Sequence, residues 1–115
     1  MTTIAKDIGR GDIALHRGCD ERIGAKWEVD SHDGRGYVGK DLRGWDATFR
    51  LFCDNKQVYE LPCMTSSNGY AIASIPGAAF EGDQWRTRRH GEWRIDARGP
   101  DGEREWLGWG AYEMV

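Results

Sequence analysis

The chain has 115 residues, which suits a single domain with one hydrophobic core. Hydrophobic residues make up 39% and charged residues 30%, too apolar a balance for a disordered chain. The net charge of −3 supplies no basic field, so a nucleic-acid partner is not expected.

In chain order, the first stretch, MTTIAKDIGR, has no apolar run. No signal peptide is expected, and residues 1–10 are expected to be a loose, flexible segment ahead of a domain at 11–115. DIALHRG (12–18) opens the domain with Ile13 and Leu15 on one face. RIGAKWEVD (22–30) alternates cleanly: Ile23, Ala25, Trp27 and Val29 on one side, charged residues and Gly24 on the other. That is the pattern of a half-buried strand. SHDGRG (31–36) is an Asp-Gly turn, and YVGKDL a short strand after it. DATFRLFC (46–53) puts Ala47, Phe49, Leu51 and Cys53 on one face, DNK turns, and QVYELPC (57–63) returns as a hairpin partner. SSNG is a further turn and YAIASI (70–75) a further strand.

PGAAFEG (76–82) reads as a short helical turn or 3₁₀ crossover. DQWRTRRHGEWRIDARG (83–99) reads as a long strand segment, with RTRRH as a solvated basic edge and Gly91 as a candidate bulge. PDGE is a tight turn, and REWLGWGAYEMV (104–115) a last strand. Some eight strands at a spacing of roughly 8–12 residues, with 16 glycines and 3 prolines, predict an antiparallel all-β sandwich or barrel. No segment reaches the length of a membrane helix.

Little in the sequence points to catalysis. His16, His32 and His90 each stand alone, and His16 with Cys19 lacks the second pair that a zinc site needs. There is no nucleophile elbow, metalloprotease motif or phosphate-binding loop. The acids are scattered over turns and polar faces. Neither metal nor cofactor is expected, and the chain is not read as an enzyme. Cys19, Cys53 and Cys63 are read as buried free thiols of a protein made in a reducing cytoplasm.

Six tryptophans are the richer signal. Trp27 and Trp93 are in phase with aliphatic neighbours and are expected in the core with Phe49, Leu51 and Ile95. Trp106 and Trp109 differ in parity on the last strand, so one should face outward unless a bulge intervenes. An outward indole can anchor a protein interface, stack a sugar ring, or be a partly covered surface ring.

The order of four segments carries a resemblance: DIALHRGCDERIGAKWEVDSHDGRGYV, then DLRGWDATFRL, then GYAIASIPGAAF, then GEWRIDARGPDGEREWLGWGAYEMV. This arrangement resembles the immunoglobulin-like β-sandwich domain of siphophage minor tail and upper baseplate proteins. Asp41, Leu42, Gly44 and Trp45 match that family's Asp-Leu-Thr-Gly-Trp turn, with Arg43 in place of Thr. Ala47, Phe49 and Leu51 match the strand after it, Ile75 and PGAAF the crossover, and Trp93, Ile95 and Ala97 the aromatic strand. Asp101 and Gly102 match the family's turn, and Gly110 with Met114 or Val115 its closing strand, while Cys19 stands where it usually has Asp.

The resemblance implies a two-sheet sandwich of about 7–9 strands. It also implies a non-enzymatic structural role, as an assembly or adaptor module of a phage or prophage tail or baseplate. The protein would be made in the bacterial host cytoplasm and carried in the virion tail. The implied partners are other tail and baseplate proteins or further copies of the chain. The alternative is a carbohydrate- or host-receptor-binding module, for instance one for host-surface glycan, and a third reading is a cytoplasmic protein-interaction domain unrelated to phage. On this reading Asp41, Leu42, Gly44 and Trp45 form a corner: Gly44 permits the bend, and Trp45 or its neighbour plugs the end of the sandwich.

Overall fold

The computed structural model of the chain describes residues 2–6 and 9–115, with side chains from Arg10 onward. It is nearly all β. Among the described residues the only helical element is a 3₁₀ turn at Asp83–Thr87. One sheet has four strands: β1 (Thr2–Lys6), β4 (Glu21–Lys26), β10 (Tyr70–Ile75) and β9 (Met64–Thr65), neighbours in that order. The larger sheet runs β2 (Gly9–Arg10), β12 (Arg104–Met114), β11 (His90–Arg98), β7 (Asp46–Cys53), β8 (Lys56–Pro62), with β3 (Ile13–Leu15) also paired to β12. A separate hairpin joins β5 (Glu28–Asp30) to β6 (Tyr37–Gly39).

The alternation predicted for β7 is present, with Ala47, Phe49 and Leu51 buried and the residues between them turned outward. The DNK turn takes a positive φ at both Asp54 and Asn55, the geometry of a two-residue type I′ hairpin. β10 contributes Ala71, Ala73 and Ile75, β4 contributes Ile23 and Ala25, and β11 contributes Trp93, Ile95 and Ala97. These faces meet in one core between the two sheets, closed by Leu42, Leu15 and Tyr112. A second aromatic knot sits at its edge: Phe80 lies 4.8 Å from Trp85 and 5.1 Å from Tyr59, edge to face.

Trp93 is the largest fully buried side chain. It stacks on Phe49 at 6.4 Å between ring centroids, and its Nε1–H donates to the Gly11 carbonyl at 2.6 Å. A burial this deep requires a partner for the indole N–H. The chain supplies it by bringing the N-terminal segment over the sheet. Gly110 makes that approach possible, because a Cβ there would sit 2.1 Å from the Gly11 oxygen and 2.9 Å from the indole nitrogen.

Several expectations are corrected. Segment 22–30 is not one strand but two, and Trp27 falls at the break. Its N–H donates to the Gly69 carbonyl and its own carbonyl accepts from Lys40. Trp27 is therefore half-buried at the rim rather than in the core, and Val29 faces outward. Segment 76–82 makes hydrogen-bonded turns, Ala79 N–H to the Pro76 carbonyl and Glu81 N–H to the Ala78 carbonyl, and the 3₁₀ helix follows at Asp83–Thr87, where Trp85 is buried. RTRRH is consequently mostly turn, with strand beginning at His90. Gly91 marks no bulge: it lies opposite Tyr112 in regular register, and the irregularity falls where Ile95 and Asp96 meet β12. Where a loose segment 1–10 is expected, Thr2–Lys6 and Gly9–Arg10 are strands, while Met1, Asp7 and Ile8 lie outside the described residues.

Replacing Trp93 by Ala should lower the unfolding free energy by about 3–5 kcal/mol, the usual cost of emptying a buried Trp site. Urea unfolding followed by circular dichroism checks this, and a midpoint equal to wild type would contradict the packing described.

Candidate functional site

The corner at residues 41–45 is built as a turn. Leu42 carbonyl accepts from Trp45 N–H at 3.0 Å, and Gly44 has φ of 85°, the left-handed conformation a type II turn needs at its third residue. Leu42 N–H reaches the Ser66 carbonyl and its side chain is fully buried, so Leu42 is the plug. Trp45 instead packs edge-on against Trp27 at 5.4 Å, and Lys40 Nζ lies over both indoles at 5.0 and 5.7 Å. Asp41 accepts from Arg43 backbone N–H at 3.0 Å and from its guanidinium at 2.6 Å. Those contacts lower the Asp41 pKa to about 2, the guanidinium bonds contributing most.

The histidines lie apart from one another, and among the described residues no three metal-ligating side chains form a cluster. His16 Nδ1 lies 2.8 Å from Oε1 of Glu21, a carboxylate buried at the start of β4. Glu21 shares the inward parity of Ile23 and Ala25, and that parity was the available signal for its burial. The thiols do not all follow the expectation. Cys19 is exposed in a turn, Cys53 is half-buried, and Cys63 is half-buried with its pKa pushed up to about 12, chiefly by burial.

The chemically richest surface is the outer face of the six-stranded sheet. Both Trp106 and Trp109 lie on it, 50% and 37% exposed. The bulge explains how residues of opposite parity share a face. Ile95 pairs with Gly108 and Asp96 with Trp106, so Leu107 is the extra residue. Leu107 and Gly108 both turn inward, which restores the outward phase at Trp109.

Across the strands the register places Arg94 opposite Arg50 and Asp96 opposite Thr48. Two arginines face to face repel unless a counter-charge intervenes. Asp96 supplies it, its Oδ2 accepting from Arg50 Nε at 3.0 Å and Arg94 Nε at 3.1 Å. Arg50 Nη1 also donates to Gln57 Oε1 at 2.9 Å and Glu60 Oε2 at 2.8 Å. The Arg94 guanidinium lies between Phe52 and Trp106, 4.6 and 4.7 Å from the two rings. The indole of Trp106 is thus held on one side by a cation that is itself clamped. Beside it is a shallow groove of about 570 Å³, lined by Thr48, Arg50, Gln57, Arg94, Asp96 and Trp106 and bounded by Asp46, Arg98, Arg104 and Glu105. Trp109 lies outside this groove, with the Arg10 guanidinium 5.6 Å from its ring.

Sequence reasoning singled out Trp106 and missed Arg50, Gln57, Arg94 and Asp96. For Arg50, Arg94 and Asp96 the signal was the polar parity of β7 and β11, while Gln57 comes from β8. Arg50 and Asp96 are 46 residues apart, and only the strand register joins them.

No family model matches the chain, and no curated protein matches it by sequence. Among solved structures it is similar to the N-terminal domain of phage TP901-1 ORF48, with a TM-score of 0.56 and 15% identity. The match covers 99% of this chain and 98% of that one, and at this identity it establishes a shared fold.

Two outcomes follow from the local chemistry. A thiol reagent added to the native protein should label Cys19 rapidly and Cys63 only after denaturation, and Cys19→Ser should abolish the fast phase. For Asp41, the carboxylate is favoured in the folded state, so its contribution to stability is present above its ordinary value of 3.8 and is lost as pH falls towards about 2. Asp41→Asn should therefore flatten the fall of the melting temperature across that acid interval relative to wild type, as measured by thermal melts at stepped pH.

Proposed function

We propose that this chain is a non-enzymatic structural component of a phage or prophage tail or baseplate, acting as an assembly or adaptor module. The observation that carries the reading is the end-to-end correspondence of its fold with a domain of a phage protein. The Asp41–Trp45 corner, the Trp93 strand and the closing strand of the sequence resemblance add support. The chain is read as one domain, the strands at Thr2–Lys6 and Gly9–Arg10 joining its two sheets.

The sandwich is read as immunoglobulin-like. The strand order β1-β4-β10-β9 in one sheet and β8-β7-β11-β12 in the other supports this reading, since it can be matched to an ABED sheet and a C′CFG sheet. The expected antiparallel arrangement does not hold throughout: β1 pairs with β4, and β2 and β3 with β12, in parallel.

Assembly contacts are assigned to the end of the molecule that carries the β5–β6 hairpin. Tyr37 at 73% and Met64 at 79% are the most exposed of its large apolar residues, with Val29 between the hairpin's charged positions. Apolar side chains left in water on a hairpin and on the edge strand β9 suit burial against a tail neighbour or a second copy.

Quantitative mass spectrometry of particles purified from a host carrying the gene tests this. The chain should co-purify with tail proteins at roughly a few to tens of copies per particle, as a ring-symmetric component would. Tyr37→Asp with Met64→Asp should reduce its incorporation without unfolding it. Intact infectious particles formed without the chain would defeat the reading.

A further inference from the structure

We propose that the groove beside Trp106 is a binding site for a neutral saccharide, with one sugar ring lying against the open side of the indole and its hydroxyls meeting the Arg50, Gln57 and Asp96 side chains. The proposal rests on the groove itself and not on the tail reading.

The core lies on the opposite side of β12, where Leu107, Gly108, Gly110 and Tyr112 face inward. Packing of the sandwich therefore does not account for an indole half in water on the outer face. That indole is also held in place. Arg94 covers one side of it, and Arg94 in turn is fixed by Asp96 Oδ2 and by Phe52. A ring pre-positioned by its neighbours loses little freedom on contact with a ligand. An aromatic face bordered by polar groups suits a sugar, whose C–H face is apolar and whose rim is hydroxylated.

Hydroxyls both donate and accept, so a sugar is best met by a mixed array. Arg50, Arg94 and Gln57 supply N–H donors, Asp46, Asp96 and Glu105 supply carboxylate acceptors, and Thr48 supplies either. Both guanidinium bonds to Asp96 fall on Oδ2, and the second oxygen of a carboxylate can accept from a hydroxyl. A site for phosphate or for a polyanion would present one sign of charge. Here four arginines stand against three carboxylates, close to balance, and the whole chain is acidic. A protein partner would need a desolvated apolar centre, and this groove offers one indole among charges.

About 570 Å³ falls in the range of small-ligand sites, roughly 300–1,000 Å³. The groove floor comes from β7, β11 and β12, the centre of the larger sheet, so its geometry is set by strand register rather than by loops.

The test is a titration of the full chain with short neutral oligosaccharides of glucose, galactose, mannose, rhamnose and N-acetylhexosamines, alongside uronate- and phosphate-bearing counterparts. Binding is followed by tryptophan fluorescence and confirmed by calorimetry. At least one neutral series should bind, with a dissociation constant of about 1 mM or tighter. Trp106→Ala should weaken it by about tenfold or more while the thermal melt stays in place. Should that variant unfold, Thr48→Val and Gln57→Ala carry the same test, each expected to weaken binding by roughly threefold through one lost hydroxyl contact. Trp109→Ala, on the same face but outside the groove, should bind as wild type does.

The proposal is overturned if no neutral saccharide binds at about 10 mM, if only the charged counterparts bind, or if Trp106→Ala binds as well as wild type. Absence of the chain from tail particles would leave this result untouched, so the two readings fail separately.

Discussion

The buried indole of Trp93 is the constraint around which the rest of the molecule is arranged. Its ring stacks on Phe49 and fills the space between the sheets, but its N–H cannot be left without a partner in that interior. The carbonyl of Gly11 meets it, and only because Gly110 removes the side chain that would keep the two backbones apart. That single bond brings the N-terminal segment over the last strand, where Gly11 N–H donates to the Trp109 carbonyl and β3 continues the pairing. One packing decision in β11 therefore determines how the sandwich is closed on that side.

Because the apolar work is done on the inner face, the outer face of the same strands is free to be polar. Arg50, Arg94 and Asp96 sit back to back with Leu51, Trp93 and Ile95. The core fixes their positions through the pleat, and their mutual ion pairing fixes their orientation. The bulge at Leu107 then adds an aromatic to a face that strict alternation would have given only one of two indoles. The apolar residues assigned to assembly, Tyr37 and Met64, lie on the β5–β6 hairpin and on β9, elements that take no part in the six-stranded sheet. Attachment and ligand binding would thus use different surfaces of one rigid body.

Much of the framework was legible from residue order. The period-two pattern located β7, β10 and β11, and Asp-Asn, Ser-Asn-Gly and Asp-Gly marked turns that the backbone makes. The Asp41–Trp45 corner was legible as a corner, although the choice of Leu42 over Trp45 as plug depends on depth, which parity does not encode. Trp27 misled because its phase matched its neighbours while the strand ended beneath it, a break imposed by hydrogen bonds to Gly69 and Lys40. The 3₁₀ turn at Trp85 was hidden by a run that is strand-like in composition, and tertiary burial overrode that preference. The groove was invisible for a different reason: it exists only once β7, β11 and β12 are aligned, and an alignment across 46 residues is a property of the sheet rather than of any segment.

The pairing of β3 with β12 has a consequence for how the fold closes. Ile13 lies beside Tyr112 and Leu15 beside Met114, in parallel, and Val115 N–H bonds back to the Leu15 carbonyl. Such a contact joins positions 13 and 112, a long loop to close and so a slow one to find. Hairpins such as β7–β8 close locally, but the seam needs both β3 and β12 in place. Without β12, β3 and one edge of β11 would be unpaired, the kind of open edge that is prone to aggregation. The seam thus ties the closing of the larger sheet to the latest contact the fold can make.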